Sequence, residues 1–598
     1  MACCSHDVPR PRFAAADRGG ALRHSRSKVG TFGRGLATLV YAGTLCATLA
    51  LAAMPRLAVA QAEISVADAV RFLEQTSFGA NRTQIQRVQQ MGFEAYLEDQ
   101  FNRPASGWVD RGLCLPNPGT DPNCPSTRDF YTMYPVQTEF YNKALFGDDQ
   151  LRQRVVFALA QIWVISAQLQ GNFQAGWMDY YLQVLENGAF GRWRTPGCSS
   201  LCPDDLMYNI TLSPGMGKYL DMAGNYFVAN RAANENFARE TLQLFNVGVD
   251  ELNDESATCA PDCTGKPILN DSGGRIPTYD QDIIVGFSKA FTGWNLVPPV
   301  DGLPNWRDSM ILRGAHDTTS KQLLDNVVLP AGQTPEQDLS DALDNIFQNH
   351  NMPVFICKQL IQKLVTSNPS GPYVSDCAQA FKDNGQGIRG DLRAVIKTII
   401  LHDEARRNPA DSVAFGKLRE PVLAVTNILR NFCSDAGAAP CTDAVLGEAF
   451  LPSTLRMDQD MFRSPTVFNF YPPDYDLNAM PPSLYGPEFA ILSTSTSLAR
   501  VNMTNALIYS GIPANADRPA GTKIDPDNFG PYVAADPQDP NGDATTVSLL
   551  NQIMLHGSMS TDMQTVILNK LSTISDPVQK VQEAVYLIAT SSAYQVQR

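Results

Sequence analysis

The sequence predicts a mainly α protein: one large multi-helix domain with long disulfide-pinned loops and at most a small β-hairpin. About ten segments place apolar residues at helical spacing behind a capping residue. No alternating strand series, internal repeat of fixed period or low-complexity linker interrupts these segments. Cysteines in short local couples punctuate the segments between them, which is typical of loops held by disulfides.

Composition and charge narrow the class of partner. The chain has 598 residues and a net charge of −14. Residues 61–598 carry 39 Lys and Arg against 59 Asp and Glu, and hence a net charge of −20. Such a surface repels phosphate backbones and anionic headgroups, so we expect no nucleic-acid partner and no peripheral membrane binding. With 44% hydrophobic residues the chain can build a large core.

Residues 1–60 have the pattern of a signal peptide. Four basic residues precede the apolar run Leu36–Met54, and Ala58 and Ala60 are the small residues that signal peptidase requires. Cleavage after Ala60 would leave residues 61–598 as a single helical domain without a membrane span. We therefore expect an exported protein of the periplasm, cell surface or extracellular space. Retention of the 19-residue run as an anchor is the alternative.

The cysteines support export. Three lie in the signal peptide, and ten remain as near neighbours in sequence. An even number of local couples in an oxidising compartment predicts five disulfides, whereas a zinc site from two of the couples is the alternative. The predicted couples are Cys114 with Cys124, Cys198 with Cys202, Cys259 with Cys263, Cys357 with Cys377, and Cys433 with Cys441.

Capping residues and stop signals delimit the helices in order. Ser65 precedes a pattern that ends at Gly79, and Asn81 begins a second helix that ends at Gly92. Further helices are predicted after Asp149, over 176–190, after Asp280, over 335–348, over 352–367, over Leu392–Leu401, after Pro421, and, beyond a polar loop at about 511–544, over 558–573 and 577–590.

The least helical part of the chain is residues 296–335. Here 310–313 and 321–329 are apolar enough to pair as a small hairpin, which would carry His316 and Asp317. An imidazole beside a carboxylate can act as a general base, or the two side chains can simply brace the loop.

The stretch from Asn234 to Gly248 is a helix with two contrasting faces. Asn234 or Asn236 can cap it, and Gly248 supplies a left-handed stop. Its polar face is either an ordinary solvated surface or a fixed network turned inward against 280–294, and we expect the second. The apolar face comprises Phe237, Ala238, Thr241, Leu242, Leu244 and Phe245; the polar face comprises Glu235, Asn236, Arg239, Glu240 and Gln243.

This stretch closely resembles the signature of an exported bacterial family catalogued as domain-of-unknown-function family 1800. The resemblance covers about residues 65–598 and implies a compartment and an architecture, but no reaction. Other matching stretches are Arg71–Gly79, Leu151–Val155, Ala290–Trp294, His316–Asp317, Gly416–Pro421, Ser464–Phe470 and Tyr594–Arg598.

Motifs for known chemistries are missing from the sequence. There is no nucleophile elbow Gly-x-Ser-x-Gly, no His-Glu-x-x-His and no dinucleotide glycine fingerprint. Only four histidines remain after the signal peptide, too few for most metal, haem or triad schemes. We therefore expect no cofactor and no metal.

Two functional hypotheses remain. The first, which we favour at this stage, is a non-catalytic periplasmic or surface assembly protein with an unknown protein partner. The second is a secreted hydrolase- or lyase-type enzyme in which carboxylates in unlike environments divide the acid and base roles. Its candidate polar cluster is Glu235, Arg239, Glu240, Asp282, His316 and Asp317.

Overall fold

Helices supply most of the regular structure of this protein, and the predicted mainly α fold is confirmed. The signal peptide, the couple Cys114 with Cys124, and residues 514–521 and 534–541 of the predicted polar loop lie outside the residues described. The computed structural model describes residues 63–109, 132–168, 175–199, 202–254, 263–299, 305, 308–407, 414–433, 457–477, 484–513, 522–533 and 542–598.

The first helices begin where the sequence predicts. The side chain of Ser65 accepts a hydrogen bond from the backbone of Asp68, and Asn81 does the same for Gln84. Asp149 stands at the next predicted cap, but its carboxylate accepts from Ser106 instead. The helices are α1 Val66–Thr76, α2 Arg82–Met91, α3 Phe93–Phe101, α4 Tyr134–Phe146, α5 Gln150–Ala160, α6 Ala175–Gly188, α7 Leu206–Thr211 and α8 Pro214–Tyr219.

The central helices carry the clearest caps. Asp280 accepts from Ile283, Thr334 forms a capping box with Gln337, and Asp391 accepts from two first-turn amides. The helices are α9 Asn236–Glu240, which continues as a π turn over Thr241–Asn246, then α10 Gln281–Ala290, α11 Pro335–Gln348, α12 Asn351–Leu364, α13 Gly371–Lys382, α14 Leu392–Leu401 and α15 Asp403–Arg406.

Helices also dominate the C-terminal third. Proline occupies the first turn of the helices that begin at Pro421 and Pro577, where no amide donor is needed. The helices are α16 Pro421–Cys433, α17 Thr494–Asn505, α18 Asp543–Leu555, α19 Thr561–Leu571, α20 Pro577–Ala589 and α21 Ser592–Gln595.

Three short antiparallel strand pairs occur in the described residues, beside 3-10 helices at Leu324–Asn326, Pro487–Ile491 and Pro526–Tyr532 and a π helix at Ala506–Ser510. The predicted hairpin between 310–313 and 321–329 is wrong in its pairing. The first segment pairs with 294–295, whereas 321–329 folds back on itself around a 3-10 turn at Leu324–Asn326. The strands are β1 Trp294–Asn295 with β2 Ile311–Leu312, β3 Lys321–Gln322 with β4 Val328–Leu329, and β5 Lys417–Leu418 with β6 Val596–Gln597.

A buried ion network ties the first helix to the end of the chain. Both carboxylate oxygens of Glu74 accept from Arg419 at 2.9 Å, and His556 contributes a third contact at 2.9 Å. Although burial opposes ionisation of Glu74, these cations outweigh it and lower its pKa to about 2. Together with the β5–β6 pair, the network fixes the segment 416–421 in the interior.

Disulfides link some of the predicted couples. Cys198 is bonded to Cys202 in a loop. Cys357 on α12 is bonded to Cys377 on α13, so this bridge joins two packed helices and does not pin a loop. Cys263 and Cys433 are each disulfide-bonded, and the cysteines that we pair with them, Cys259 and Cys441, lie outside the described residues.

The described residues contain neither a candidate membrane-spanning helix nor a candidate metal cluster. None of the helices there combines the length and the hydropathy needed to cross a bilayer. Within the same ranges, no group of three or more His, Cys, Asp or Glu side chains is placed to hold a metal ion.

Candidate functional site

The stretch 234–248 is helical, but it widens halfway along. The side chain of Asn234 caps its start by accepting from the amide of Asn236 at 2.9 Å. The turn from Thr241 to Asn246 has π geometry, and the Asn246 side chain donates to the carbonyl of Thr241 at 2.9 Å. Turns of this kind often occur at functional sites because they displace side chains from the regular helical path.

The polar face of α9 packs against α10 but is only partly buried. Arg239 lies 2.8 Å from Glu235, and Gln281 bonds to both side chains. The side chain of Arg239 is 40% exposed and that of Glu235 is 28% exposed. The polar face therefore turns toward α10, as expected. Arg239 and Glu235, however, are not buried as expected.

Glu240 is the buried member of this face. Its Oε2 atom makes no hydrogen bond to any residue in the described ranges, and burial raises the pKa of its carboxyl group. Two tyrosines feel its charge: burial and Glu240 raise the pKa of Tyr219 to about 12, and they raise that of Tyr279 further.

The other three predicted site residues do not join this group. Asp282 is exposed in the first turn of α10. His316 bonds through Nε2 to Asp338 at 2.7 Å, and the carboxylate of Asp317 accepts from Thr319 at 2.8 Å within its own loop. Among the described residues, no hydrogen bond or ion pair links His316 or Asp317 to the charges on α9. Their contacts are those of side chains that brace a loop.

A pocket of about 300 Å³ lies next to the π turn. Small-molecule sites have volumes on the order of 300–1,000 Å³. Val249 and Phe468 are about half exposed and mark its rim. Gly248 has a φ of +84°, and a Cβ atom there would lie 2.7 Å from the ring of Phe355, so only glycine fits. The walls come from the π turn and the loop after it, the end of α5, one face of α12, and 467–474.

Lys363 of α12 lies at the floor of this pocket. The residue is 3% exposed, and the hydrogen bonds shown for it within the described residues go to its backbone carbonyl, which accepts from Arg154 and Lys417. Its Nζ atom is 4.5 Å from the ring centroid of Tyr471. Burial lowers the pKa of Lys363 to about 8. The carboxylates of Glu420 and Glu488 oppose this shift, and the weaker effects of Lys417 and Arg154 add to it. An amine with this pKa is partly unprotonated near neutral pH.

Two glutamines add further donors without acceptors. Gln161 and Gln359 line the pocket and are each 7% exposed, and the Nε2 atom of each makes no hydrogen bond to a described residue. Gln359 is one helical turn from Lys363, so both face the same side of α12. Gln161 is joined to Tyr471, whose hydroxyl donates to its Oε1 atom at 3.0 Å. Gln161 and Lys363 therefore both contact Tyr471, and Gln359 lines the same pocket.

Beneath the floor lies a buried cluster with more cations than carboxylates. Lys417 is 3.0 Å from Glu488, and Glu420 accepts from Tyr471 at 2.7 Å. Arg154 donates to the carbonyl of Lys363 at 2.7 Å, but its Nε and Nη1 atoms make no hydrogen bond within the described ranges. Four cations of the described chain stand against two carboxylates here, so the cluster has an excess positive charge. Its members are Arg154, Lys363, Lys417, Arg500, Glu420 and Glu488.

Sequence reasoning missed this site, although two signals for it were present. The helix predicted over 352–367 carries Lys358, Gln359, Gln362 and Lys363 within a strongly apolar run. Buried lysine is rare unless it is paired or functional. The second signal is the stretch Gly416–Pro421, in which Lys417, Arg419 and Glu420 lie within four consecutive residues between apolar neighbours. Neither signal shows that the two segments meet.

Comparison with known proteins gives one match. A family model described as "Protein of unknown function (DUF1800)" matches residues 71–596. No curated protein and no solved structure matches the chain.

Proposed function

Because this chain belongs to the DUF1800 family, whose description names no activity, we propose its function from the pocket itself. The protein binds a small organic acid, with the carboxylate at the floor of the pocket and an apolar body toward the rim. The signal peptide and the cysteine couples, both sequence predictions, support the same function outside the cytoplasm.

One observation carries this proposal. Gln161 and Gln359 each bring a buried Nε2 donor that has no acceptor among the described residues, and Lys363 brings a cation to the same pocket. A buried donor left unsatisfied costs about 1–3 kcal/mol, and more when it is charged. A carboxylate supplies several acceptor positions at once and is the ligand group that best matches such a set.

Charge and polarity support the same ligand class. The positive charge of protonated Lys363 at the floor favours an anion over a neutral or cationic head group. Ile162, Val164, Leu244 and Phe355 supply the apolar wall. Such a wall suits a short hydrocarbon chain and disfavours a strongly hydrated body, such as a sugar.

The pocket favours an enzyme or a small-molecule receptor over the assembly protein that we preferred from sequence alone. The proposed site also differs from the cluster of Glu235, Arg239 and Glu240. These residues lie one turn before the pocket, on the same helix, and we assign them a supporting role for the π turn.

Thermal denaturation in the presence of small ligands tests the proposal. The mature protein is heated with straight-chain carboxylic and 2-hydroxycarboxylic acids, and with the primary amide of each acid as the matched neutral ligand. A ligand that binds only the folded state at 100 times its Kd stabilises it by about 2.7 kcal/mol. We expect the acids to raise the Tm and the amides to have little effect.

Lys363→Met is the decisive variant because it removes the charged donor at similar length. We expect this variant to lose the response to acids. Lys382→Met is the matched control, since Lys382 pairs with Asp254 and does not line the pocket. Equal stabilisation by acids and amides, or an unchanged response in Lys363→Met, would contradict the proposal.

A further inference from the structure

We propose that Lys363 forms an imine with the carbonyl carbon of a 2-oxoacid held in this pocket. This inference rests on the proposed function and deepens it by naming the substrate class and the reacting atom. In a 2-oxoacid the carboxylate and the ketone are adjacent. A ligand whose carboxylate meets the glutamine amides therefore presents its carbonyl carbon to the neighbouring amine.

The geometry of Lys363 suits a nucleophile. Lys363 lines the pocket, and its Nζ atom lies 4.5 Å from the ring centroid of Tyr471. No hydrogen bond within the described residues fixes this atom. The two other cations that line the pocket are already engaged: Lys358 donates to the carbonyl of Gly265 at 3.0 Å, and Arg275 pairs with Asp250 at 2.7 Å. Of these three residues, Lys363 is the one whose amine, once it has lost its proton, can direct its lone pair at a ligand.

Burial supplies the unprotonated amine that the reaction needs. A positive charge in a dry site is unfavourable, so burial favours loss of the proton from Lys363 and lowers its pKa, although Glu420 and Glu488 oppose the shift. Lysines that form imines are commonly activated by an apolar pocket. After Lys363 becomes neutral, the unpaired amide donors of Gln161 and Gln359 still face the bound carboxylate.

The step balances without an oxidant or a reductant. The lone pair of Nζ attacks the carbonyl carbon, and the C–N bond forms while the C=O π bond breaks. Both protons of the neutral amine are transferred to the former carbonyl oxygen, which leaves as water. The product is a C=N bond between Lys363 and the oxoacid. An imine withdraws electrons from the adjacent carbon, so the chemistry open to this site is cleavage or proton exchange beside the former ketone.

Trapping with sodium borohydride tests the inference on the mature protein. The protein is incubated with straight-chain 2-oxoacids from pyruvate to 2-oxohexanoate, reduced with borohydride, and its intact mass is measured. Reduction of an imine adds the mass of the oxoacid less one oxygen atom. We expect this adduct on Lys363 by peptide mapping, with a yield that rises between about pH 7 and about pH 9 as the amine loses its proton.

Three controls separate this inference from the proposed function. Lys363→Arg keeps the positive charge but lacks a nucleophilic amine, so it should bind the acids and form no adduct. Lys382→Arg changes a lysine that pairs with Asp254 outside the pocket and should keep the adduct. The matching 2-hydroxyacids should protect Lys363 from trapping because they bind but contain no ketone.

The outcomes are distinguishable. Saturable binding of acids to the wild-type protein without an adduct, or an adduct spread over surface lysines and retained in Lys363→Arg, overturns the imine and leaves the proposed function standing. Neither binding nor an adduct overturns both. An adduct that maps to Lys363 and disappears with Lys363→Arg supports both.

Discussion

The ammonium group of Lys363 lies 4.5 Å from the ring centroid of Tyr471, on the wall of one pocket. The hydroxyl of Tyr471 points the other way, to Glu420 at 2.7 Å and Gln161 at 3.0 Å. One tyrosine therefore connects the pocket to the buried charge cluster, and its ring and its hydroxyl have separable roles.

Tyr471→Phe keeps the ring and removes both hydrogen bonds. Because Glu420 and Gln161 remain buried with one donor fewer, we expect a loss of about 1–3 kcal/mol in the free energy of unfolding, measured by urea denaturation. Tyr475→Phe is the control: Tyr475 is 40% exposed, and its substitution should change the stability by less than about 0.5 kcal/mol. Equal effects of the two substitutions would remove Tyr471 from this role.

Arg239→Ala should be mild, because the ion pair with Glu235 is partly exposed. We expect a loss below about 1 kcal/mol in chemical denaturation, which is the usual range for such pairs. Arg194→Ala is the contrast: Arg194 and Asp205 are fully buried and 2.7 Å apart, and removing one partner should cost about 3–5 kcal/mol. A large effect at Arg239 would mean that its face is more enclosed than its exposure indicates.

Glu240→Gln tests the buried carboxyl group of the same helix. Burial raises the pKa of Glu240, so the folded state binds its proton more tightly than the unfolded state does. The stability that this contributes is present below the unfolded pKa and is lost as the pH rises through the raised value. We therefore expect the wild-type protein to lose stability relative to Glu240→Gln as the pH rises above about 4.3, the ordinary pKa of a glutamate, and urea denaturation at each pH would reveal the loss. The opposite trend would indicate an ionised Glu240 with a partner.

The bridge between α12 and α13 should contribute to the stability of the helix that carries Lys363. Cys357 and Cys377 are 20 residues apart in sequence, and the loop-entropy estimate for such a loop is about 3 kcal/mol. The double variant Cys357→Ala and Cys377→Ala should lose about that much, and the reduced wild-type protein should behave similarly. Free thiols at both positions in the oxidised protein would show that the bridge does not form.

Local signals were sufficient to predict most helices. Asp391 and Leu392–Leu401 were assigned to the residue, since a capping side chain and an apolar face both lie within one short segment. The pairing of β2 was not predictable in the same way. Two-residue strands carry almost no periodicity, so their sequence does not indicate whether β2 pairs with β1 or with β3.

The pocket depends on contacts between segments that are distant in sequence. Gln161, Lys363 and Tyr471 are about 100 to 300 residues apart and meet only after α5, α12 and 467–474 have packed. The sequence pointed to Glu240 because charges at helical spacing are visible locally. The residues that we now consider functional are isolated polar positions in apolar surroundings, and without the fold such positions cannot be assigned to one site.

The dependence of ligand affinity on pH tests the central claim most directly. A 2-hydroxyacid is titrated into the wild-type protein by calorimetry from about pH 6.5 to about pH 9.5, so that no imine complicates the binding. Since the pKa of Lys363 is lowered to about 8, we expect the affinity to fall several-fold as this amine loses its charge. Lys363→Arg stays protonated throughout and should bind with nearly constant affinity. A wild-type affinity that does not change with pH, or an equal fall in Lys363→Arg, would contradict the assignment of Lys363 as the group that recognises the acid.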